Sequence, residues 1–181
     1  MTQNQQQLDK YFSTIWKQRN RNLDQYTHTG WALADKIQPG ESVVDVGCGD
    51  NPFREIIPNL IGFDPAFVEA DAQLTLEQFT LSNHQIFDVA LCLGSINFGD
   101  RENIERQIGL VVGMLSAQGR IYWRCNPGSQ DHGNVECESI IFYPWSIPEH
   151  VRLADKFGFD LVDCCWDTGN RIYAHWQRRQ C

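Results

Sequence analysis

No run of apolar residues in this 181-residue chain is long enough to cross a bilayer, which takes about 20. The opening residues, Met1 to Gln7, lack the apolar core of a secretory leader. Positive charge is also short. With 15 Lys and Arg against 23 Asp and Glu, the formal charge is −8, which argues against a partner held mainly through phosphates. The seven cysteines (48, 92, 125, 137, 164, 165 and 181) form no C-x-x-C pair or other zinc spacing, so no metal is expected. Cys48, Cys92, Cys125 and Cys164 lie in or beside apolar runs and read as reduced, buried small hydrophobes. A cytoplasmic, reducing setting without a membrane partner is the expectation. The length is that of one domain, and 42% hydrophobic residues exclude wholesale disorder.

What is present centres on Val43-Val44-Asp45-Val46-Gly47-Cys48-Gly49-Asp50-Asn51-Pro52-Phe53. The β-branched run predicts a strand buried on both faces. Gly47 and Gly49 let the backbone turn sharply and a ligand come close to it. Pro52 suits the first turn of a helix, so the stretch reads as strand, glycine turn and helix N-terminus, a nucleotide-type site. Asp45 precedes the first glycine by two positions, and Asp64 closes the next apolar run, Leu60-Ile61-Gly62-Phe63. A carboxylate there is placed to accept hydrogen bonds from both hydroxyls of a ribose.

These two segments resemble the first two motifs of class I S-adenosylmethionine (SAM) dependent methyltransferases. The resemblance runs over residues 25–177 and implies a three-layer α/β/α Rossmann-like fold, with a mostly parallel sheet and an antiparallel C-terminal hairpin. It implies an N-terminal tail and helix over 1–24 and a SAM-binding domain over 25–181. Asp45, Gly47, Cys48, Gly49 and Asp64 would hold the cofactor, with S-adenosylhomocysteine as product. Asp71-Ala72 resembles the element that meets the adenine edge, and Gly94-Ser95 would line the floor under the sulfonium. Gln25 to Trp31, with His28 and Thr29, sits where family members cover the cofactor. Asn51 replaces the third glycine of the loop and tolerates the left-handed conformation.

Periodicity places helices from Leu8 to Trp16, from Thr29 to Ile37, from Leu74 to Phe79, from Asp100 towards Gly119, and from Ser146 to Phe157. Residues 1–7 read as a frayed tail. Gly109 and Gly113 would let the fourth of these helices approach the sheet closely. Strands are expected at 86–95, 120–125, 159–166 and 171–176, the last two closing a hairpin around Asp167-Thr168-Gly169-Asn170. That ending is the methyltransferase one and not that of a nicotinamide-binding domain. Too few residues follow Asp64 for a parallel crossover, so either the helix before the third strand or the strand itself is expected to be shortened.

Methyl transfer is an in-line displacement in which alignment is the enzyme's main contribution, so no catalytic residue is dictated. Asn97, Asn126 and His132 are candidates over the methyl group, each with an alternative reading as a turn or loop residue. Trp145 is the candidate for the acceptor pocket. The loop after 86–95 lacks the Asn/Asp-Pro-Pro-Tyr signature of enzymes acting on nucleic-acid amines. A small-molecule acceptor is therefore expected. Another SAM-using transferase, of aminopropyl or aminocarboxypropyl type, or a non-catalytic SAM-binding protein would keep the same motifs.

Overall fold

A computed structural model describes residues 3–15, 27–128 and 140–180. Its six strands are β1 Val43–Val46, β2 Leu60–Phe63, β3 Phe87–Cys92, β4 Leu115–Cys125, β5 Phe159–Asp167 and β6 Arg171–Arg178. They lie in the order β2-β1-β3-β4-β6-β5. The first four run parallel, and β6 is antiparallel to both β4 and β5. The chain leaves β1 towards β2 on one side and returns to β3 on the other. This reversal opens a crevice at the carboxyl ends of β1 and β3, where ligands bind in open α/β sheets.

Side chains alternate between two apolar layers, as the period of two along a strand requires. Val44, Ala90, Ile121 and Trp123 pack on one face beneath α4 (Arg101–Gly113) and α5 (Ile147–Lys156). Val43, Val89, Leu91 and Tyr122 pack on the other, against Leu33, Phe53 and Ile57. The α-helices among the described residues are α1 (Gln3–Lys10), α2 (Gly30–Leu33), α3 (Leu76–Ser82), α4 and α5. Asp100 caps α4 by accepting from Asn103 N–H, Thr75 forms a capping box with Gln78 on α3, and Ser146 caps α5 through Glu149 N–H. The terminal hairpin turns through Gly169 (φ 69°) and Asn170 (φ 52°), both residue types suited to the left-handed region.

Several sequence expectations are corrected. No regular helix follows the glycine loop. Residues 52–56 form turns, closed by Ile57 N–H to Phe53 C=O at 2.9 Å, so Pro52 opens one turn only. The segment after β2 loses both pieces it could have kept. The helix becomes a turn over buried Phe67, and the third strand becomes a single bridge between Phe63 and Ala72. Helix α1 begins at Gln3, inside the expected frayed tail, and passes into a π-helical turn at Tyr11–Ile15. The second helix is only α2 followed by a 3₁₀ turn at Ala34–Lys36. Helix α4 ends at Gly113, because Leu115 is buried in β4 opposite Phe87. Gly109 and Gly113 point outward, where a Cβ on Gly109 would meet only Phe157 at 3.8 Å and one on Gly113 nothing. The buried stripe is Ile104, Ile108 and Val111, the inner face that the apolar spacing of the sequence marks.

Candidate functional site

The carboxyl ends of β1, β2, β3 and β4 open into one cleft of about 1150 Å³. Its floor is the glycine loop. Gly47, Gly49 and Asn51 all have positive φ (67°, 62° and 56°), so the loop needs residues that accept the left-handed region at three places. Gly47 is also sterically required, since a Cβ there would lie 2.5 Å from Ser95 Cβ. This contact brings the loop after β1 against the loop after β3. Gly62 in β2 does the same for Asn51, whose Oδ1 would be 2.5 Å from an added Cβ.

Asp64 stands at the end of β2 and accepts from Gly49 N–H at 3.1 Å and Ala66 N–H at 2.8 Å. One bond lands on each oxygen, which fixes the carboxylate against the glycine loop and the turn after β2. Asp45 is fully buried in β1. Burial first, and the charge of Asp64 second, push its carboxyl up to about 7. Its Oδ2 has no hydrogen-bond partner among the described residues, nor do Thr29 Oγ1 and Ser95 Oγ. All three residues line the cleft. Buried polar atoms are nearly always paired, and three unpaired ones on residues that line a single cleft point to a polar ligand there. Cys48 also lines the cleft, its thiol raised by burial and by the neighbouring carboxylates, so it is an inert wall.

The residues proposed from sequence fall into three groups. Asp45, Gly47, Cys48, Gly49, Asp64, Gly94, Ser95 and Thr29 come together in the cleft, as do Asn97 and Asn126. Both polar atoms of Asn97 are engaged: Nδ2 donates to Gly94 C=O at 2.8 Å, and Oδ1 accepts from Asn126 N–H at 2.9 Å. It ties the loops after β3 and β4 together. Asp71, Ala72, His28 and Trp145 do not line the cleft. Asp71 accepts from Gly62 N–H at 2.9 Å and Asn51 Nδ2 at 3.0 Å and pairs with Arg54 at 2.9 Å. His28 stacks on Tyr173 at 3.9 Å and lies 3.2 Å from Asp167, which also binds Arg124 at 2.7 Å. Burial raises the Asp167 carboxyl, but the hydrogen bonds from Arg124, Thr168 and His28 outweigh it and hold it below the usual carboxylate range. Trp145 is a core residue, 1% exposed, with Nε1 donating to Ile96 C=O at 2.9 Å. Its ring stacks on His150, so it supports the loop after β3 from beneath instead of lining a pocket. His132 lies outside the described residues, as do Gln25 and Tyr26 of the expected cover.

Sequence reasoning missed an aromatic wall of the cleft. Tyr11, Phe12, Phe98 and Phe142 line it, from three segments far apart in the chain. The stripe Leu8, Tyr11, Phe12 was legible as a helix face, but nothing local told which surface it covers. Arg124 and the α3 start, Thr75 to Glu77, were missed for the same reason. Among the described residues, no three His, Cys, Asp or Glu side chains come together as metal ligands. No helix among them is long and apolar enough to cross a membrane.

Neither a protein-family model nor a curated protein matches this sequence. Solved structures do. A 1,6-didemethyltoxoflavin-N1-methyltransferase of Burkholderia thailandensis, with its substrate and S-adenosylhomocysteine bound, aligns with TM-score 0.70 at 14% identity, over 98% of this chain and 87% of that one. A magnesium protoporphyrin IX methyltransferase of Synechocystis with bound SAM aligns with TM-score 0.68 at 14% identity, over 99% of each chain. An N-methyltransferase of Bradyrhizobium japonicum in complex with S-adenosylhomocysteine gives 0.68 at 13% identity, over 99% of this chain and 100% of that one. The architecture built up above, from the β2-β1-β3-β4-β6-β5 sheet to the closing hairpin, is the Rossmann-like fold of class I SAM-dependent methyltransferases.

Proposed function

We propose that this protein is a SAM-dependent methyltransferase acting on a small molecule. The observation that carries the reading is the set of unpaired buried atoms, Asp45 Oδ2, Thr29 Oγ1 and Ser95 Oγ, in the same cleft as Asp64 and the glycine loop. A cofactor with a cationic methionine end, a ribose and an adenine fits this donor set. Asp64, at the end of β2 in the cleft, is the carboxylate placed for the ribose hydroxyls, and Asp45 supplies a carboxylate for the ammonium end. Gly47 lets the loop after β1 pack against Ser95 of the loop after β3, which joins the two sides of the floor. Bound there, SAM would supply an electrophilic methyl whose bonding pair returns to sulfur on transfer. The chain's part is alignment and exclusion of water, with Asn97 fixing the β3 and β4 loops relative to one another. Residues 25–181 form the binding domain in this reading, and the buried thiols Cys48, Cys92 and Cys125 suit a reducing cytoplasm.

Calorimetric titration with SAM and S-adenosylhomocysteine tests this directly. The parent protein should bind both in the micromolar range, about −8 kcal/mol. Asp64→Ala should lose tenfold or more of that affinity, since charge-assisted hydrogen bonds contribute about 1.5–3 kcal/mol each. A folded parent that binds neither ligand would sink the proposal. Incubation with methyl-labelled SAM then separates methyl transfer from the transfer of another SAM fragment, or from binding without turnover.

A further inference from the structure

The cleft holds more than one ligand needs. Pockets for single drug-sized molecules run to about 300–1,000 Å³, and this one reaches about 1150 Å³. Sheet order divides it. The glycine loop and Asp64 occupy the β1/β2 side, while the β3/β4 side faces the aromatic wall. There Phe12 meets Phe98 edge-on with centroids 5.4 Å apart, and Phe98 meets Phe142 at 5.0 Å. Tyr11 continues the row at 5.2 Å from Phe12. These rings belong to neither apolar layer of the sheet. They form a separate cluster with Leu8 and Ile140. A ring recruited only for packing would be covered, yet Phe12 and Phe98 stay half-buried while lining the cleft. Asn126 and Arg124, at the end of β4, line the same cleft.

We infer that this second compartment binds a planar aromatic or heteroaromatic small molecule, seated against Phe12 and Phe98. In the methyl-transfer reading, on which its role as acceptor site rests, that molecule is the acceptor. Ring edges and faces arranged near-perpendicular to one another offer an incoming ring both edge-to-face and stacked contacts, and a saturated ligand of the same skeleton can use neither. The row comes from the π-helical turn after α1, the loop after β3 and the segment before α5, so it forms only when the N-terminal segment is docked.

The test uses the full chain and a matched pair of probes, naphthol and its saturated counterpart decalinol, titrated calorimetrically with and without saturating S-adenosylhomocysteine. Naphthol should bind at least fivefold tighter than decalinol. Phe12→Leu and Phe98→Leu, which keep apolar bulk and remove the ring, should each weaken naphthol about two- to tenfold. Both should leave S-adenosylhomocysteine affinity within twofold. Phe12 lies outside the sheet, so its variant keeps the test alive if Phe98→Leu misfolds. Equal binding of the two probes, or naphthol affinity unmoved by either substitution, overturns the inference. Loss of the ring preference with S-adenosylhomocysteine still bound strikes the acceptor compartment alone. Ring preference without any S-adenosylhomocysteine binding supports the compartment and overturns the donor reading instead.

Discussion

The end of β1 and the shortened segment after β2 each carry an aspartate, and the protein treats the two in opposite ways. Asp71 is spent on the fold: Gly62 N–H and Asn51 Nδ2 both bind its Oδ2, and Arg54 takes the other oxygen. Asp45 is buried in the sheet with one oxygen unpaired among the described residues. The difference follows from truncation. With the third strand reduced to the Phe63–Ala72 bridge, β2 has no full strand on its outer side among the described residues, and Asp71 supplies the acceptor that a strand would have offered Gly62. A carboxylate at a site's edge is thus a strut or a ligand group according to what the backbone beside it lacks. Asp45, between β2 and β3, has its strand neighbours already, and its side chain remains available to the cleft.

The largest expected effect comes from neutralising Asp45. Its folded carboxyl titrates at about 7, above the ordinary aspartate value of 3.8. The folded chain therefore holds a proton that the unfolded chain has released. Stability linked to this group is full below about pH 4 and is lost as pH rises towards 7. Relative to Asp45→Asn, the parent should lose on the order of 4 kcal/mol between about pH 3.5 and 8, read from urea melts at each pH. S-adenosylhomocysteine should show the mirror trend, binding the parent more tightly as pH rises through 7 and losing that dependence in the variant. A flat difference between the two proteins would mean that Asp45 is ionised in the free protein and that the contrast with Asp71 fails.

His150 sharpens the contrast from the other side of the sheet, because it is buried, titratable and remote from the cleft. It sits 4.5 Å from Trp145 and 5.8 Å from Trp176, ring to ring, with neither nitrogen hydrogen-bonded among the described residues. Burial lowers it to about 3, against a smaller opposing pull from Glu149. The sign is reversed relative to Asp45. Stability is present above about pH 6.5 and is lost as pH falls towards 3. Relative to His150→Phe, the parent should lose on the order of 3 kcal/mol as pH falls from about 7 to about 4.5, with ligand affinity unchanged. If affinity moved with it, burial and titration alone would not distinguish a site residue from a core one.

Much of this was legible in the chain, and what escaped has a common cause. The strand at Val43–Val46, the glycine loop with its left-handed Asn51, Asp64 and the terminal hairpin are each written in residues close together in sequence. The roles of Asp71 and Trp145 were not, because each depends on what stands beside it in space. Asp71 resembles an adenine-binding acid until the missing strand leaves Gly62 N–H in need of an acceptor. Trp145 follows a strand-like run at the right edge, but its indole turns inward to Ile96 C=O and His150. The aromatic wall was hidden for the same reason, since Phe12, Phe98 and Phe142 meet only after folding.

A moderate effect is expected at Asp71 itself. Asp71→Ala removes two hydrogen bonds to backbone and Asn51, together with an ion pair to an exposed Arg54 that solvent screens to little. The loss should be about 2 kcal/mol in urea melts, with S-adenosylhomocysteine affinity falling much less than in Asp64→Ala. The reverse outcome, unchanged stability with affinity lost, would return Asp71 to the adenine edge and erase the distinction from Asp45.

The smallest effects are the most diagnostic. Ser95 Oγ and Thr29 Oγ1 are buried and unpaired among the described residues, so in the free protein each hydroxyl carries a desolvation cost with no bond to offset it. Ser95→Ala and Thr29→Val delete the hydroxyl with little change of shape. Each should leave stability unchanged or raise it by up to about 1 kcal/mol. Thr29 adds a second reason to expect no loss: it stands at the N-cap position of α2, yet its side chain makes no capping bond that valine would forfeit. Ligand affinity should move the other way, falling about three- to tenfold for S-adenosylhomocysteine as one neutral hydrogen bond is lost. Opposite signs in the melt and in the titration are what a ligand-facing hydroxyl produces. A hydroxyl that served the fold would lower both together, and one that served neither would move neither.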